Sequence, residues 1–415
     1  MKIKNIVPVI TMICTGLCNS VFAQKDTTVR VMEARSNSIV QQKKPYLILI
    51  SGDGFRWDYA QKYHAENLLR LSKEGVAAES MLPSFPASTL PNHYTLMTGL
   101  YPSHSGIVGN TFYDANRKEN LKVNDGSFFG EEPLWVTAEK AGMLTADFNW
   151  PNMRPAIKNT FATYSFTRTS GKRPADTEAI DLVKNWLSLP EDKRPHFIAL
   201  HLGETDHAGH QHGPESKEVE EAVKLIDGAV GEIEAIAKKT GLAVNFVFVS
   251  DHGMTPIDPT PLNTPASIDK QKFVCIVQGN YVAIHAKDQA DILPLYEKLK
   301  AEQAAGFDVV LKKDLPKYLH FGPADDKYNR IGDIMLMAHH PKVFAARAPK
   351  GAHGFSPYEQ KDVHASFYAW GPAFKQNLTV KAFGNIEVYS MMAKILGIQP
   401  LPNDGKGTLA KQVLK

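Results

Sequence analysis

The sequence Tyr46-Leu-Ile-Leu-Ile-Ser-Gly-Asp53-Gly54 joins a continuous apolar run to an acidic residue between two glycines. A run of this kind is typical of a strand that is buried on both faces of a parallel sheet. Glycine and aspartate both favour turns, so Asp53 taken alone marks only the end of the strand. In an α/β fold, this end of a parallel strand is also where ligands bind.

The same arrangement returns twice further along the chain. The apolar run Pro195–His201 leads into Asp206-His-Ala-Gly-His210, and the run Ala243–Ser250 leads into Asp251-His252. Amphipathic helices are predicted between the strands, the longest over Ser216–Lys238. Strands that alternate with helices form a mainly parallel sheet, so we expect the three acidic loops to emerge at one edge.

A fourth segment of interest is Ser84-Phe-Pro-Ala-Ser-Thr-Leu-Pro-Asn-His-Tyr94. Pro91 suits the first turn of a helix, because its missing N–H would be unpaired there, and this places Thr89 at a helix N-terminus. Unpaired N–H groups and the helix dipole make such a position a cradle for phosphate. An isolated threonine there is more often an ordinary N-cap, so a chemical role for Thr89 depends on its neighbours.

Six carboxylate and imidazole side chains lie in the acidic loops or in a later glycine-rich turn: Asp53, Asp206, His210, Asp251, His252 and His353. Singly, each has a structural explanation such as an ion pair, a helix cap or a loop tip. Together, nitrogen and oxygen donors without thiolates favour Zn²⁺, and they are too many for one tetrahedral ion. Two ions about 3.5–4 Å apart serve in-line displacement at phosphorus, for which Thr89 is the candidate nucleophile.

Composition limits the remaining function classes. The 415 residues are 43% hydrophobic, which is enough to bury a large core, and the formal charge is only +3. Because the basic residues form no long runs, we expect no nucleic-acid-binding surface. No segment after the N-terminus is long and apolar enough to span a membrane.

The N-terminus has the pattern of a secretory signal peptide. Positive charge precedes an apolar core over Ile6–Cys18, and Val21-Phe-Ala23 is a small-residue cleavage site. Cleavage would leave Cys275 as the sole cysteine, so the core or bound metals must stabilise the exported chain. We expect a periplasmic or secreted protein.

The domain organisation is predicted from where the alternation of strands and helices weakens. Residues 1–23 are the signal peptide and 24–44 a polar leader. Residues 45–254 and 346–415 form the catalytic core, the latter including a short tail, and 255–345 form an inserted cap subdomain.

Five segments, in order, resemble the motif set of the nucleotide pyrophosphatase/phosphodiesterase family of the alkaline phosphatase superfamily. They are Leu47–Tyr59, Thr89–Pro102, Asp206–Pro214, Ser250–Met254 and Gly351–Phe355. The resemblance implies an alkaline-phosphatase-like three-layer α/β sandwich with a mainly parallel central sheet and two zinc ions. It assigns one zinc to Asp206, His210 and His353. It assigns the other to Asp53, Thr89, Asp251 and His252.

The resemblance also implies a mechanism. Thr89 attacks phosphorus and forms a covalent phospho-threonine, which water then hydrolyses. Asn110 donates its amide hydrogens to a non-bridging phosphate oxygen, and the Leu90 N–H is a second donor. Donors of this kind contribute about 3–4 kcal/mol each at comparable oxyanion sites.

Two positions depart from the pattern of relatives that act on nucleotides. Those relatives usually have phenylalanine after the nucleophile and tyrosine in the strand before the Asp206 motif, where this chain has Leu90 and His201. Stacking on a base is worth about 1–3 kcal/mol, so these changes weaken the case for nucleotide binding. Leu121 matches another pocket position. Tyr164 or Phe166 would supply a ring instead, unless both belong to the core.

The preferred interpretation is a two-zinc phosphodiesterase or nucleotide pyrophosphatase acting on small-molecule phosphate diesters, with the oligomeric state left open. A phosphomonoesterase would need extra cations, for which Arg154, Lys158 and Lys172 lie in a suitable region. A phosphonate or phospholipid-headgroup hydrolase is also open. The non-enzymatic alternative, a silent binder of phosphorylated ligands, is disfavoured because no metal-type side chain is missing.

Overall fold

The computed structural model describes residues 27–168, 176–303 and 305–415. The predicted signal peptide and Lys172 lie outside the described residues. The strands are Thr27–Val31 (β1), Tyr46–Gly52 (β2), Val76–Ala78 (β3), Met81–Leu82 (β4), Tyr113–Asp114 (β5), Glu119–Asn120 (β6), Thr145–Phe148 (β7), Tyr164–Arg168 (β8), Phe197–Leu202 (β9), Val244–Val249 (β10), Thr255–Pro256 (β11), Phe273–Val277 (β12), Tyr281–Ala286 (β13), Phe307–Leu311 (β14), Ile334–Ala338 (β15), Gly351–Ala352 (β16), Phe367–Trp370 (β17), Leu378–Val380 (β18) and Phe383–Gly384 (β19). The α-helices are Ile39–Gln42 (α1), Tyr59–Lys62 (α2), Glu66–Glu74 (α3), Thr89–Thr98 (α4), Pro102–Ser105 (α5), Leu134–Lys140 (α6), Asp176–Leu187 (α7), Glu204–His212 (α8), Lys217–Thr240 (α9), Ile292–Ala301 (α10), Glu387–Leu396 (α11) and Thr408–Val413 (α12).

Within the described residues, nine strands form one large sheet in the order β1-β8-β7-β9-β2-β10-β17-β3-β18. The five strands from β8 to β10 in this order run parallel to one another. β1 pairs antiparallel with β8, and β17 pairs antiparallel with both β10 and β3. The predicted mainly parallel sheet is therefore confirmed, and β9, β2 and β10 are direct neighbours whose carboxyl ends meet at one edge.

The sheet is covered on both faces, which explains the continuous apolar run of β2. Successive side chains of a strand point to opposite faces. Leu47 and Leu49 join a buried cluster with α4, α6 and α11, whereas Ile48 and Ile50 join a second cluster with α3, α7 and α9. The helix–sheet–helix arrangement is the three-layer sandwich that the family resemblance implies.

A second sheet lies inside the segment predicted as a cap. β12, β13, β15 and β14 are antiparallel neighbours in that order. One face packs with α10 around Ile284 and Leu336. The other face contributes Tyr281 and Met335 to the buried cluster that contains α4. This second sheet therefore shares a hydrophobic core with the large sheet, while the exact domain boundaries stay a prediction.

Two segments near the N-terminus differ from expectation. Residues 27–31, which the sequence places in a polar leader, form the edge strand β1, whose residues include the β-branched Thr28, Val29 and Val31. The sequence predicts one helix over Ala60–Gly75, with leucines on its apolar side and a glycine at its end, but the chain forms the two helices α2 and α3. His64, between them, has a φ of 55°, which is incompatible with a continuous α-helix.

Among the described residues, none of the helices is both long and apolar enough to cross a bilayer.

A buried ion pair between Arg330 and Asp114 links the segment between β14 and β15 to β5. Arg330 donates to Oδ2 of Asp114 from Nε at 2.9 Å and from Nη2 at 2.8 Å. Its Nη1 donates to the carbonyls of Gly106 and Phe128. The two charged side chains are only 3% and 4% exposed.

We expect Arg330→Met to lower the free energy of unfolding by about 3–5 kcal/mol, because the buried Asp114 carboxylate would keep as its cation, among the described residues, only the more distant Arg117, whose Nε is 4.0 Å from Oδ2. Urea denaturation followed by circular dichroism measures the loss. The double variant Arg330→Met, Asp114→Leu removes both charges and should recover much of it. Wild-type stability in the single variant would contradict this account of the ion pair.

Candidate metal centre and nucleophile

Asp53 is fixed at the carboxyl edge by hydrogen bonds to its neighbours. Its N–H donates to the carbonyl of Leu202 at 2.8 Å, and its carbonyl accepts from the N–H of Asp206 at 2.9 Å. Gly54, with a φ of 67°, lies so close that a Cβ there would be 2.9 Å from the Cα of Asp206. Only glycine fits this approach, which brings the turn after β2 against the start of α8.

The first ligand set consists of Asp206, His210 and His353. Its ligand atoms lie within 4.8 Å of one another. Oδ1 of Asp206 is 3.2 Å from Nε2 of His210 and 3.7 Å from Nε2 of His353. Asp206 and His210 were predicted to lie in a loop, but they lie on α8, where an i, i+4 spacing places both on one face. Glu204 and Asp206 in the first turn favour this helix through its dipole, despite the surrounding glycines.

Backbone carbonyls orient the two histidines of this set. Nδ1 of His210 is 2.8 Å from the carbonyl of Gly351, and Nδ1 of His353 is 2.9 Å from the carbonyl of Ala87. Because a carbonyl only accepts, each Nδ1 carries a proton, and Nε2 is the nitrogen left to ligate a cation. This is the arrangement that ligation by Nε2 requires.

The second ligand set consists of Asp53, Asp251 and His252, again within 4.8 Å. Nε2 of His252 is 3.1 Å from Oδ2 of Asp251 and 3.5 Å from Oδ1 of Asp53. Nδ1 of His252 donates to the carbonyl of Gly253 at 2.8 Å. The His252 ring stacks on that of His353, with centroids 3.6 Å apart, so the two ligand sets adjoin.

Burial and mutual repulsion govern the charge of the three carboxylates. Burial, together with the negative charges of Asp251 and Asp206, raises the pKa of Asp53 well above its usual range. Burial also acts to raise the pKa of Asp206, but His210, whose Nε2 lies 3.2 Å from Oδ1, outweighs it and lowers that pKa to about 2. For Asp251, burial is likewise outweighed by the charges of His252 and His93, and its pKa is lowered.

The donor atoms fit a cation in each ligand set. One oxygen of each carboxylate is buried without a hydrogen-bond partner among the described residues: Oδ1 of Asp53, Oδ1 of Asp206 and Oδ2 of Asp251. A buried, unpartnered carboxylate oxygen is costly unless a cation compensates it. Burial lowers the pKa of His353 to about 3, so this imidazole is neutral and able to ligate. Carboxylate and imidazole donors together suit Zn²⁺.

Thr89 lies beside the second ligand set. It is the first residue of α4, and Ser88 occupies the cap position without a side-chain cap bond. Oγ1 of Thr89 is 3.3 Å from Nε2 of His252. The hydroxyl is therefore at a helix N-terminus and within reach of a cation held by Asp53, Asp251 and His252.

The predicted substrate-binding residues have different surroundings. The N–H of Leu90, expected to be a second donor to the phosphate, instead donates to Oδ1 of Asn110 at 2.8 Å. Nδ2 of Asn110 is left to donate to a ligand. Leu121 is partly buried against the core cluster that contains α4. Tyr164 and Phe166, the two rings suggested to stack on a base, instead pack against the core. Tyr164 contacts the ring of Trp186, and Phe166 contacts the ring of Phe148.

His93 is a site residue that sequence reasoning did not identify. Its Nδ1 is 2.9 Å from the carbonyl of Thr89 and 3.4 Å from Oδ2 of Asp251, and its Nε2 is 2.8 Å from Oγ of Ser51. It connects the nucleophile segment to β2 and to a candidate ligand. The available signal was its position four residues after Thr89, one turn along α4.

A hairpin of the second sheet supports the site from outside the large sheet. Asn280 donates from Nδ2 to the carbonyl of Gly354, next to His353. Tyr281 donates from its hydroxyl to the carbonyl of Val108 at 3.0 Å, close to Asn110. These contacts join residues far apart in the chain, so no local sequence pattern indicates them.

Comparison with known proteins places the chain in a family. The model of the type I phosphodiesterase / nucleotide pyrophosphatase family matches residues 47–365, a range that contains both ligand sets and Thr89. The chain belongs to this family. The outcome confirms the resemblance seen in the sequence motifs.

Curated relatives show moderate identity over most of the chain. A venom phosphodiesterase from Crotalus durissus collilineatus is 33% identical over 389 residues, which cover 89% of this chain and 46% of the relative. Ectonucleotide pyrophosphatase/phosphodiesterase family member 3 from Bos taurus is 32% identical over 391 residues, 89% of this chain and 44% of the relative. The chain thus spans somewhat under half the length of these relatives.

Solved structures share the fold. Murine ectonucleotide pyrophosphatase / phosphodiesterase 5 superimposes with a TM-score of 0.81 at 26% identity, covering 89% of this chain and all of that chain. An inactive threonine-to-alanine variant of the same murine protein, in complex with AMP, also has a TM-score of 0.81, at 25% identity and 89% coverage of this chain. The architecture therefore extends over the whole of these shorter relatives.

We expect Gly354→Ala to weaken zinc binding by about 10–100-fold, the usual cost of disturbing the support of a metal ligand. The added Cβ would lie 2.5 Å from Oδ1 of Asn280 at a φ of 96°, which would displace the loop that carries His353. Competition with a chromophoric chelator measures the affinity. Gly241→Ala is the control, since Gly241 has a φ of 71° but no atom within 4 Å of an added Cβ. Equal affinities in the two variants would show that the Gly354 contact is unimportant.

Proposed function

We propose that this protein is a two-zinc phosphodiesterase that cleaves small-molecule phosphate diesters, nucleotides among them, with Thr89 as nucleophile. The observation that carries the proposal is the 3.3 Å between Oγ1 of Thr89 and Nε2 of His252, at the point where two ligand sets adjoin. Family membership supports the reaction class. The relative solved with AMP supports nucleotides as a substrate class.

The ligand sets divide the two ions between them. Asp206, His210 and His353 would hold one zinc. Asp53, Asp251 and His252 would hold the other, with Thr89 as a further ligand. Zinc, when bound, acts as a Lewis acid on phosphoryl oxygens and lowers the pKa of a coordinated hydroxyl.

The residues of the chain then account for the reaction. Oγ1 of Thr89 loses its proton to solvent and attacks phosphorus. The Oγ1–P bond forms as the bond to the leaving alkoxide breaks, and the alkoxide takes up a proton from solvent. The positive end of the α4 dipole favours the anionic phosphoryl group. Nδ2 of Asn110 donates to a non-bridging oxygen, while the Leu90 N–H holds the Asn110 amide in that orientation. Attack by water on phosphorus in the phospho-threonine releases Thr89.

Family membership favours diesters over monoesters. A phosphomonoester carries an additional negative charge, which extra cations would have to meet. Of the cations considered for that role, Arg154 and Lys158 have exposed side chains, and Lys172 lies outside the described residues. We therefore propose that the diester is the better substrate.

We also propose that the protein is exported, with residues 1–23 as the cleaved signal. The names of the curated relatives place those proteins in venom or describe them as ectoenzymes. N-terminal sequencing of protein recovered from the periplasm or the medium would show the mature start.

We expect Thr89→Ala to lower kcat by about 10³-fold or more while both zinc ions remain bound, because nucleophile removal costs this much or more in other enzymes. Steady-state kinetics and elemental analysis of the same preparation measure the two quantities. Thr89→Ser keeps a hydroxyl and should retain measurable turnover. If Thr89→Ala turned over substrate at the wild-type rate, the nucleophile assignment would be wrong.

Chelation followed by zinc add-back tests the reaction class. We expect the chelated protein to be inactive and zinc to restore hydrolysis of the p-nitrophenyl ester of thymidine 5′-monophosphate, with p-nitrophenyl phosphate hydrolysed more slowly. Release of p-nitrophenol reports both reactions with one chromophore. Preference for the monoester would favour the phosphatase alternative, and no zinc-dependent turnover of either would leave a binding protein.

A further inference from the structure

His201 lies against a ligand carboxylate. It is on β9, opposite Ser51 of β2, and its side chain is 18% exposed. Its Nε2 is 2.8 Å from Oδ2 of Asp53. The sequence had suggested a substrate-binding place for this residue, but the contact is with the protein's own carboxylate.

The two oxygens of Asp53 therefore have different surroundings. Oδ2 is in hydrogen-bond contact with His201. Oδ1 is buried without a hydrogen-bond partner and lies 3.5 Å from Nε2 of His252. Only Oδ1 is thus directed at the remaining members of the second ligand set.

His93 contacts the His201 ring, but both of its own ring nitrogens bond to groups other than Asp53. The two rings meet edge to face, with centroids 5.1 Å apart and planes at 75°. Asp53, His93 and His201 offer donor atoms within 4.8 Å of one another, which raises the question of a third cation. Both nitrogens of His93 are already engaged, with the Thr89 carbonyl and the Ser51 hydroxyl, so we assign no ion there.

We infer that His201 is a positioning residue for metal binding, which donates from Nε2–H to Oδ2 of Asp53 and leaves Oδ1 as the single ligating oxygen. The inference rests on the proposed two-zinc function. A hydrogen-bond donor on the non-ligating oxygen fixes the orientation of a ligating carboxylate. Without that donor, the Asp53 carboxylate is free to rotate away from the second ligand set.

The test uses two variants of His201 and one control. His201→Phe keeps a ring but removes the donor, whereas His201→Gln removes the ring but keeps an N–H donor. His285→Phe makes the same substitution in the second sheet, where His285 is buried against the ring of Tyr113. Zinc is titrated into the demetallated proteins in competition with a chromophoric chelator, and their thermal unfolding is recorded.

We expect His201→Phe to weaken one of two zinc sites by about 10–100-fold and to leave the other unchanged. His201→Gln should lose less affinity than His201→Phe, and His285→Phe should bind zinc as the wild type does. If demetallated His201→Phe unfolds at the same temperature as the demetallated wild type, general misfolding is excluded as the cause of weaker zinc binding.

The outcomes separate the inference from the function on which it rests. Two unchanged zinc sites in His201→Phe would overturn the positioning role and leave the proposed function standing. An equal loss in His201→Gln and His201→Phe would also overturn it, since the ring and not the donor would then matter. A wild-type protein that binds no zinc would overturn the proposed function itself.

Discussion

The convergence of three carboxylates at the carboxyl edge of the large sheet is the constraint on which the site depends. Asp53, Asp206 and Asp251 are brought together by three neighbouring parallel strands. Burial and their mutual repulsion would favour protonation, as the raised pKa of Asp53 shows. The positive charges of His210 and His252 relieve part of this repulsion at Asp206 and Asp251, and a divalent cation in each ligand set would relieve the rest.

Backbone carbonyls orient the histidines of both ligand sets. Gly351, Ala87 and Gly253 each accept from an imidazole nitrogen and so turn the other nitrogen of the ring toward the ligand sets. The carbonyl of Ala87 belongs to the segment that leads into α4, so the loop that bears His353 and the helix that bears Thr89 are joined directly. Ligand geometry and nucleophile position are thereby fixed by the same hydrogen bonds.

Local patterns were sufficient to predict the sheet and to single out Thr89 and six candidate ligand residues, because buried strands and ligand residue types are visible over a few residues. The division of those residues into two ligand sets came from the family resemblance. The helix α8, which carries Asp206 and His210, was not predicted because the glycines in this segment are typical of a loop. The contacts of His93 and His201 were missed because they depend on which strands become neighbours. Such long-range pairings arise from tertiary packing, which single-sequence patterns do not encode.

Anomalous scattering at the zinc edge, from a crystal of protein purified without chelators, tests the central claim most directly. The account predicts two peaks per chain. One should lie among Asp206, His210 and His353, and the other among Asp53, Asp251 and His252. A single peak, or none, would contradict an active site built around two cations.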